Sequence, residues 1–262
     1  MNNFTDLRAR SLSAAVLAVL GLGALWLGGV VFGAMASVLA ALMAWELHRM
    51  IAPELPESLA LSNGLAAGML SGAFMAWGAG WVPLVALAVA SASLASRLPR
   101  DRVIFGLYMM LILTSVHSLF VLREDFGLAF VLWLVAVVIA SDVAGYFAGR
   151  TFGGPKFWPR ISPKKTWSGT VAGWVLSALV GVGFVAALGW SWVLVPLSVL
   201  LAFAGQMGDI AESAIKRHEG VKDSSHLIPG HGGVLDRFDA MMAVAALALL
   251  MHYLGLFAGQ AG

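Results

Sequence analysis

Acidic and basic side chains are concentrated in one polar segment, residues 209–239, of a chain that is otherwise largely apolar. The segment contains six carboxylates and four lysine or arginine residues. Carboxylate oxygens suit a hard divalent cation that is held partly by substrate phosphates, and lysine and arginine neutralise phosphate charge. We therefore expect this segment to carry a metal-dependent site that handles phosphate.

The first part of this segment has the spacing of one helix face. Asp209, Glu212, Ser213, Lys216 and Arg217 occur at positions i, i+3, i+4, i+7 and i+8, which share a face on an α-helix. A solvated face with internal ion pairs is the alternative interpretation. Asp209 directly follows an apolar stretch, where an unpaired carboxylate is costly, and this position favours a functional role.

Glycines and two further carboxylates close the segment. Three glycines surround His231 and would let the backbone approach a ligand, although a tight loop also requires such residues. Asp236 and Asp239 follow at i and i+3, so on a helix they can point to one site. This pair is suitable for a hard cation.

A second polar segment, residues 150–169, contains five basic side chains and no carboxylate. A loop of this kind ordinarily lies on the cytoplasmic side of a membrane and contacts lipid headgroups. Ser162, Lys164, Lys165 and Thr166 nevertheless combine two ammonium groups with two hydroxyls beside a turn-forming proline. This combination suits phosphate oxygens.

One carboxylate, Asp142, lies within an apolar stretch that ends near Arg150. An ionisable group inside a membrane span is a functional candidate by default. The alternative is a buried carboxylate that pairs with a lysine or arginine from another helix. The sequence contains no Gly-x-x-x-x-Gly-Lys-Ser/Thr motif, which argues against NTP hydrolysis of the P-loop kind.

The elements that position these residues follow from composition. The chain has 262 residues, of which 60% are hydrophobic and 11% charged, and its mean hydropathy is +0.88. So apolar a chain must use lipid as its solvent. With no cysteine, a metal site must use oxygen or imidazole ligands. We predict an all-α, polytopic integral membrane protein with a single domain over residues 1–262.

A helix needs about 20 apolar residues to cross the hydrocarbon core, and polar or Gly/Pro breaks divide this chain into nine such stretches. The first two are separated only by Gly28 and Gly29, and together they are too long for one helix that crosses a bilayer. The nine predicted spans are approximately 12–28, 30–47, 59–77, 81–95, 103–122, 126–149, 170–189, 192–208 and 240–257.

Charge predicts the orientation of these spans, since lysine and arginine gather in short cytoplasmic loops. With nine spans and a cytoplasmic N-terminus, Arg123 alone among the basic residues falls outside. If the first two spans were one, Arg8 and Arg10 would also move outside. In the nine-span topology, both polar segments face the cytoplasm. The short chain and simple topology favour a bacterial cytoplasmic (inner) membrane, with the active site on the cytoplasmic face.

Residues 213–239, here called the signature segment, resemble the signature of the phosphatidate cytidylyltransferases, or CDP-diacylglycerol synthases. Residues 162–169 are similar to a second block of that family. The stretch from Asp142 to Tyr146 is similar to a third block, in which Ser141 and Gly145 are less typical. The resemblance extends over the whole chain in length and hydropathy, although the first hundred residues match only in character.

This resemblance implies transfer of CMP from CTP to phosphatidate, which gives CDP-diacylglycerol and pyrophosphate and requires Mg²⁺. It allows a second cation and implies a homodimer within membrane lipid, with no nucleic-acid partner. In such a reaction a phosphatidate oxygen attacks the α-phosphorus of CTP. Because two anions must meet, charge neutralisation should dominate catalysis.

Roles can be assigned from charge placement together with these matched blocks. We expect Asp209 and Asp236 to be metal ligands, with Asp239 and Asp142 next. Lys216, Arg237 and His231 join Asp209 and Asp236 in the predicted catalytic set, where His231 positions substrate. The predicted substrate-binding residues are Ser162, Lys164, Lys165, Thr166, Ser213, Arg217, Lys222, Asp223, Gly232 and Gly233.

Two other functions use the same features. A CTP-dependent kinase of a lipid alcohol would need similar ions but would release CDP. An anion transporter, a different class of protein, is supported only by Asp142 and the many spans. A transporter would predict paired broken helices in matching halves of the chain, and the sequence shows no such pattern.

Overall fold

The computed structural model of the chain describes residues 3–228, 230 and 232–258, with side chains described from residue 15 onward. The described part contains nine α-helices and two short β-strands. Six of these helices are long and apolar enough to cross a membrane, so the prediction of an all-α polytopic membrane protein is confirmed. The helices are α1 (Asn3–Leu27), α2 (Gly29–Ile51), α3 (Glu57–Met75), α4 (Trp81–Ser96), α5 (Arg102–Phe126), α6 (Leu128–Phe152), α7 (Trp167–Leu188), α8 (Leu194–His218) and α9 (Leu235–Tyr253).

The first apolar stretch forms two helices, as predicted. Gly28 separates them with a φ of 65°, a conformation that glycine adopts without steric cost. Arg123 stabilises this break, because its Nε donates a hydrogen bond to the carbonyl oxygen of Leu25 at 2.9 Å. A carboxylate oxygen of Glu124 accepts a hydrogen bond from the Gly29 backbone N–H at 3.1 Å. The one basic residue predicted on the outer side therefore caps a helix end.

Two features differ from the predicted element boundaries. Helix α8 continues to His218, well beyond the predicted end of the eighth span at residue 208, because polar residues extend the helix past its apolar part. The basic segment forms an antiparallel hairpin of β1 (Lys156–Trp158) and β2 (Ser162–Thr166). This hairpin was not predicted. Lys156 pairs with Thr166, and Trp158 pairs with Ser162.

The chain divides into two compact units. The first consists of Met1–Glu124 and His218–Phe238, and the second of Asp125–Arg217 and Asp239–Gly262. Neither unit is continuous in sequence, since the chain passes between them three times. The single-domain assignment stays a prediction.

Small residues allow helices to pack closely within each unit. In the first unit, a Cβ atom added at Gly64 of α3 would lie 2.7 Å from the carbonyl oxygen of Ala41 in α2. In the second unit, a Cβ at Gly173 of α7 would lie 2.9 Å from the hydroxyl oxygen of Ser141 in α6. At both positions a larger side chain would force the helices apart.

We predict that Gly64→Val destabilises the protein by about 1–3 kcal/mol through overpacking against α2. Gly183→Val is the matched control, because a Cβ atom at Gly183 of α7 would meet no atom within 4 Å. The change in helix propensity is the same at both sites, so a difference in melting temperature in detergent measures the packing. Equal melting temperatures for the two variants would contradict this close helix contact.

Candidate active site

The basic hairpin and helix α8 meet in the second unit through Lys165 and Asp209. The Lys165 ammonium nitrogen Nζ lies 2.6 Å from Asp209 Oδ2. The same nitrogen donates a hydrogen bond to the backbone carbonyl oxygen of Gln206 at 3.0 Å. The structure thus joins the all-basic segment to the acidic helix face, which are 44 residues apart in sequence.

Burial increases along β2 towards the start of α7, and Lys165 contacts α8 in this part of the strand. In β2 Lys164 is exposed, Lys165 is half-buried and Thr166 is buried. Thr166 then caps α7, since its hydroxyl oxygen accepts a hydrogen bond from the backbone N–H of Gly169 at 3.2 Å. A threonine at this position is a favourable N-cap, and it fixes the point at which the strand becomes a helix.

Three of the four predicted metal ligands interact in this unit. Asp142 on α6 is repelled by Asp209 and attracted by Lys165. Asp239 on α9 is also repelled by Asp209 and is attracted by Lys216. Asp142 is exposed and the Asp209 side chain is 36% exposed, so a ligand could reach these carboxylates.

A fourth carboxyl group, that of Glu212, lies beside this set. The Glu212 side chain lies near the Asp239 carboxyl group, and the two groups interact. Lys216 Nζ lies 2.8 Å from Glu212 Oε2, the internal ion pair that the helix spacing had suggested as an alternative. Four carboxyl groups therefore face two lysines, Lys165 and Lys216.

This donor set fits a divalent cation in chemistry and in charge. All four acidic side chains offer oxygen, the ligand that Mg²⁺ prefers, and their negative charge exceeds that of the two lysines. Three of their oxygens do not lie within 4.8 Å of one another in the described part of the chain. Mg²⁺ commonly binds through one or two carboxylates together with substrate phosphates, so a preformed cluster of three is not required.

Gln206 on α8 connects the helices that carry these residues. Its amide nitrogen Nε2 donates to the hydroxyl oxygen of Ser141 and to the carbonyl oxygen of Thr170, each at 3.2 Å. Its amide oxygen accepts a hydrogen bond from the indole N–H of Trp174 at 3.0 Å. Helices α6, α7 and α8 are thereby joined around one buried amide. The sequence analysis did not predict this role for Gln206. The signal that could have indicated it was a single glutamine within an apolar span.

The fourth predicted metal ligand, Asp236, lies in the first unit and is held by its own loop. Its Oδ2 accepts hydrogen bonds from the Ser224 backbone N–H at 2.9 Å, the Ser224 hydroxyl at 3.0 Å and the Gly233 N–H at 2.8 Å. Gly232 has a φ of 83°, and a Cβ there would lie 2.7 Å from Asp236 Oδ2. These donors fix the orientation of the carboxylate, as is usual for residues that bind metals.

A buried acid that the sequence analysis missed, Glu46 of α2, holds the same loop. Its Oε1 accepts hydrogen bonds from the Val234 N–H at 2.9 Å and the Ser225 hydroxyl at 2.6 Å. Its Oε2 accepts one from the Leu235 N–H at 2.6 Å. Glu46 is an acid within an apolar span, the same signal that singled out Asp142, and it could have been found on that basis.

The remaining predicted residues are distributed over both units. The Ser213 hydroxyl donates to Asp209 Oδ1 at 3.4 Å, and Gly233 is buried against Ser224 and Glu46. His231 lies outside the described residues. Six more of the predicted residues have exposed or half-buried side chains, and their roles stay predictions. They are Ser162, Lys164 and Arg217 in the second unit, and Lys222, Asp223 and Arg237 in the first.

Asp101, His218 and Glu219 form a separate group in the first unit, with three ligand atoms within 4.8 Å of one another. Arg100 already neutralises it, since its guanidinium lies 3.1 Å from Asp101 and 3.0 Å from Glu219. Partial desolvation lowers the pKa of Arg100, but contact with Glu219 and Glu54 raises that pKa above its ordinary value. This group is therefore an ion-pair network between the α4–α5 loop and the end of α8.

Comparison with known proteins identifies a family that the chain resembles in sequence. A model of the cytidylyltransferase family matches residues 8–255. A protein of Brucella suis biovar 1 (strain 1330) named phosphatidate cytidylyltransferase is 50% identical over 141 residues, which cover 52% of each chain. A protein of the same name from Staphylococcus haemolyticus (strain JCSC1435) is 42% identical over 128 residues, 48% of this chain and 49% of the relative. In these matches the chain spans about half the length of the curated relatives.

Proposed function

The chain belongs to the cytidylyltransferase family, and from this premise we propose that it transfers CMP from CTP to phosphatidate. The products are CDP-diacylglycerol and pyrophosphate. The observation that carries the proposal is the contact between Lys165 and Asp209. Within one unit, this contact brings the basic hairpin, whose composition suits phosphate, to helix α8, whose carboxylates suit a metal ion.

This ion pair has the charge arrangement that a metal–nucleotide complex requires. The Lys165 ammonium is a cation that lies against Asp209 and attracts Asp142. Asp209 and Asp142 would hold a divalent cation in the complex with CTP, and Lys165 would then be free to bind a phosphate oxygen of CTP. Asp209 would exchange the Lys165 ammonium for the cation, and Lys165 would exchange the Asp209 carboxylate for a phosphate. Neither side chain would be left unpaired in an apolar environment.

We propose Mg²⁺ as the cation, and the proposed mechanism allows a second cation. Asp209, Asp142 and Asp239 are the residues of the second unit that would hold Mg²⁺. The role of Asp236, in the first unit, as a metal ligand stays a prediction. When bound, Mg²⁺ polarises phosphoryl oxygens and offsets charge on the phosphates. Lys165 and Lys216 supply the positive charge that belongs to the protein itself.

The reaction is a substitution at phosphorus. An oxygen of the phosphatidate phosphate forms a bond to the α-phosphorus of CTP while the bond from that phosphorus to the oxygen bridging to the β-phosphate breaks. Pyrophosphate leaves with the electron pair of the broken bond. The attacking phosphate is already ionised near neutral pH, so no general base is needed. Binding and neutralising two anions in line is the main task of the protein.

The protein's residues divide this task by their position. Lys164, Lys165, Ser162 and Thr166 on the hairpin are proposed to bind phosphates of CTP. Lys216 and Arg217 on α8 and Lys222 and Arg237 in the signature segment are also proposed to bind phosphates, and His231 is proposed to position substrate. We also propose a homodimer in a bacterial cytoplasmic membrane, with the site on the cytoplasmic side, from the resemblance and the charge asymmetry of the loops.

Product analysis tests the proposed reaction. Purified protein in detergent, given phosphatidate, Mg²⁺ and CTP labelled on the α-phosphate, should move the label into a lipid and release pyrophosphate. Removal of Mg²⁺ with EDTA should abolish transfer. Label recovered as CDP, with phosphate transferred to a lipid alcohol, would instead identify a kinase. Movement of a labelled anion into proteoliposomes without CTP would identify a transporter.

We predict that Asp209→Asn lowers kcat/KM for CTP by about 100-fold or more, because it removes a carboxylate charge at the developing reaction centre. Asp125→Asn is the matched control. Asp125 also pairs with a basic side chain, His252, at 3.1 Å, but it lies in the last turn of α5 and outside the set of carboxylates around Lys165. Steady-state rates of CMP transfer measure both variants. Full Mg²⁺-dependent activity in Asp209→Asn would remove this residue from the metal site.

A further inference from the structure

Glu46 has the contacts of a residue that sets the conformation of the signature segment. We propose that it is a positioning residue for the transfer reaction, acting through the loop that carries Asp236. The inference rests on the proposed function, because Asp236 is given there a role as metal ligand. Glu46 itself touches neither substrate nor metal in this proposal.

The environment of Glu46 is buried and rich in hydrogen-bond donors. Its side chain is fully buried, its hydrogen bonds come from two backbone N–H groups and the Ser225 hydroxyl, and the Ser224 hydroxyl lies 3.4 Å away. Among the described residues no lysine or arginine forms a salt bridge with it. A carboxylate buried without a cation is costly unless hydrogen-bond donors surround it. The loop supplies those donors, so Glu46 and the loop depend on each other.

The backbone donors are those at the beginning of a helix. Helix α9 starts at Leu235, and the first N–H groups of a helix have no partner within it. Glu46 accepts from Val234 and Leu235 at this point, so a carboxylate from α2 caps α9 and interacts favourably with its dipole. Helix N-termini commonly bind phosphate. Here the protein's own carboxylate takes those two donors, which leaves substrate phosphates to the lysine and arginine side chains.

Glu46 and Asp236 share the same loop residues. The Ser224 hydroxyl donates to Asp236 Oδ2 at 3.0 Å and lies 3.4 Å from Glu46 Oε2. A Cβ atom at Gly233 would lie 2.6 Å from Glu46 Oε1, and the Gly233 N–H donates to Asp236. The backbone between these contacts is therefore held from both sides. Loss of the Glu46 carboxylate should release the N–H groups that precede Asp236 and loosen the orientation of its carboxylate.

Glu46→Gln is the direct test, because it keeps the shape of the side chain and replaces one acceptor oxygen by a donor. We expect amide hydrogen exchange of Val234 and Leu235 to become at least about tenfold faster. Loss of a residue that orients a metal ligand commonly costs 10–100-fold, so we expect kcat to fall by about that factor and half-maximal activity to require more Mg²⁺. Glu57→Gln is the control, since Glu57 is an exposed glutamate at the start of α3.

Ser225→Ala is a second, milder variant, which removes a single donor to Glu46 Oε1. It should change exchange and Mg²⁺ dependence in the same direction by a smaller factor, and it keeps the test available if Glu46→Gln does not fold. Faster exchange with unchanged Mg²⁺ dependence would show a purely structural role and overturn the proposal. Unchanged exchange would also overturn it. If the unmodified protein forms no CDP-lipid, the proposed function fails first, and that result is distinct from both.

Discussion

A carboxylate in a largely apolar protein is stable only where cations or hydrogen-bond donors surround it. This constraint organises the polar part of the structure. Asp209 is paired with Lys165, Glu212 with Lys216, and Glu46 with the donors of the signature segment. Because each acid must be matched, the position of one polar element determines the position of another.

The same constraint explains how short polar segments keep a fixed conformation in an apolar chain. The hairpin is short, yet Lys165 ties it to α8, and Thr166 ties it to the start of α7. Gln206 connects α8 to α6 and α7 through a buried amide. The helices are rigid elements that hold the charged side chains, and the charged side chains in turn fix the loops. A ligand that brings its own cations and phosphates can replace some of these pairs without leaving a charge unmatched.

Much of this arrangement follows from sequence periodicity and composition. The nine helices, the break at Gly28 and the shared face from Asp209 to Arg217 depend on local features, which a single sequence displays. The hairpin was missed because its strands are short, mostly exposed and contain a proline, so they lack the alternation of a buried strand. The role of Glu46 was missed for a different reason. Its donors lie about 180 residues away in the sequence, and only tertiary structure brings them together.

We propose that Lys165 and Asp209 act as one unit in binding the metal–nucleotide complex. A double-mutant cycle measures this most directly, with kcat/KM for CTP determined for the unmodified protein, Lys165→Met, Asp209→Asn and the double variant. Residues in one charge network are coupled by about 0.5–3 kcal/mol, whereas independent sites add to within about 0.5 kcal/mol. If the two side chains act together, the double variant should lose much less activity than the product of the two single losses. Losses that simply multiply would contradict it.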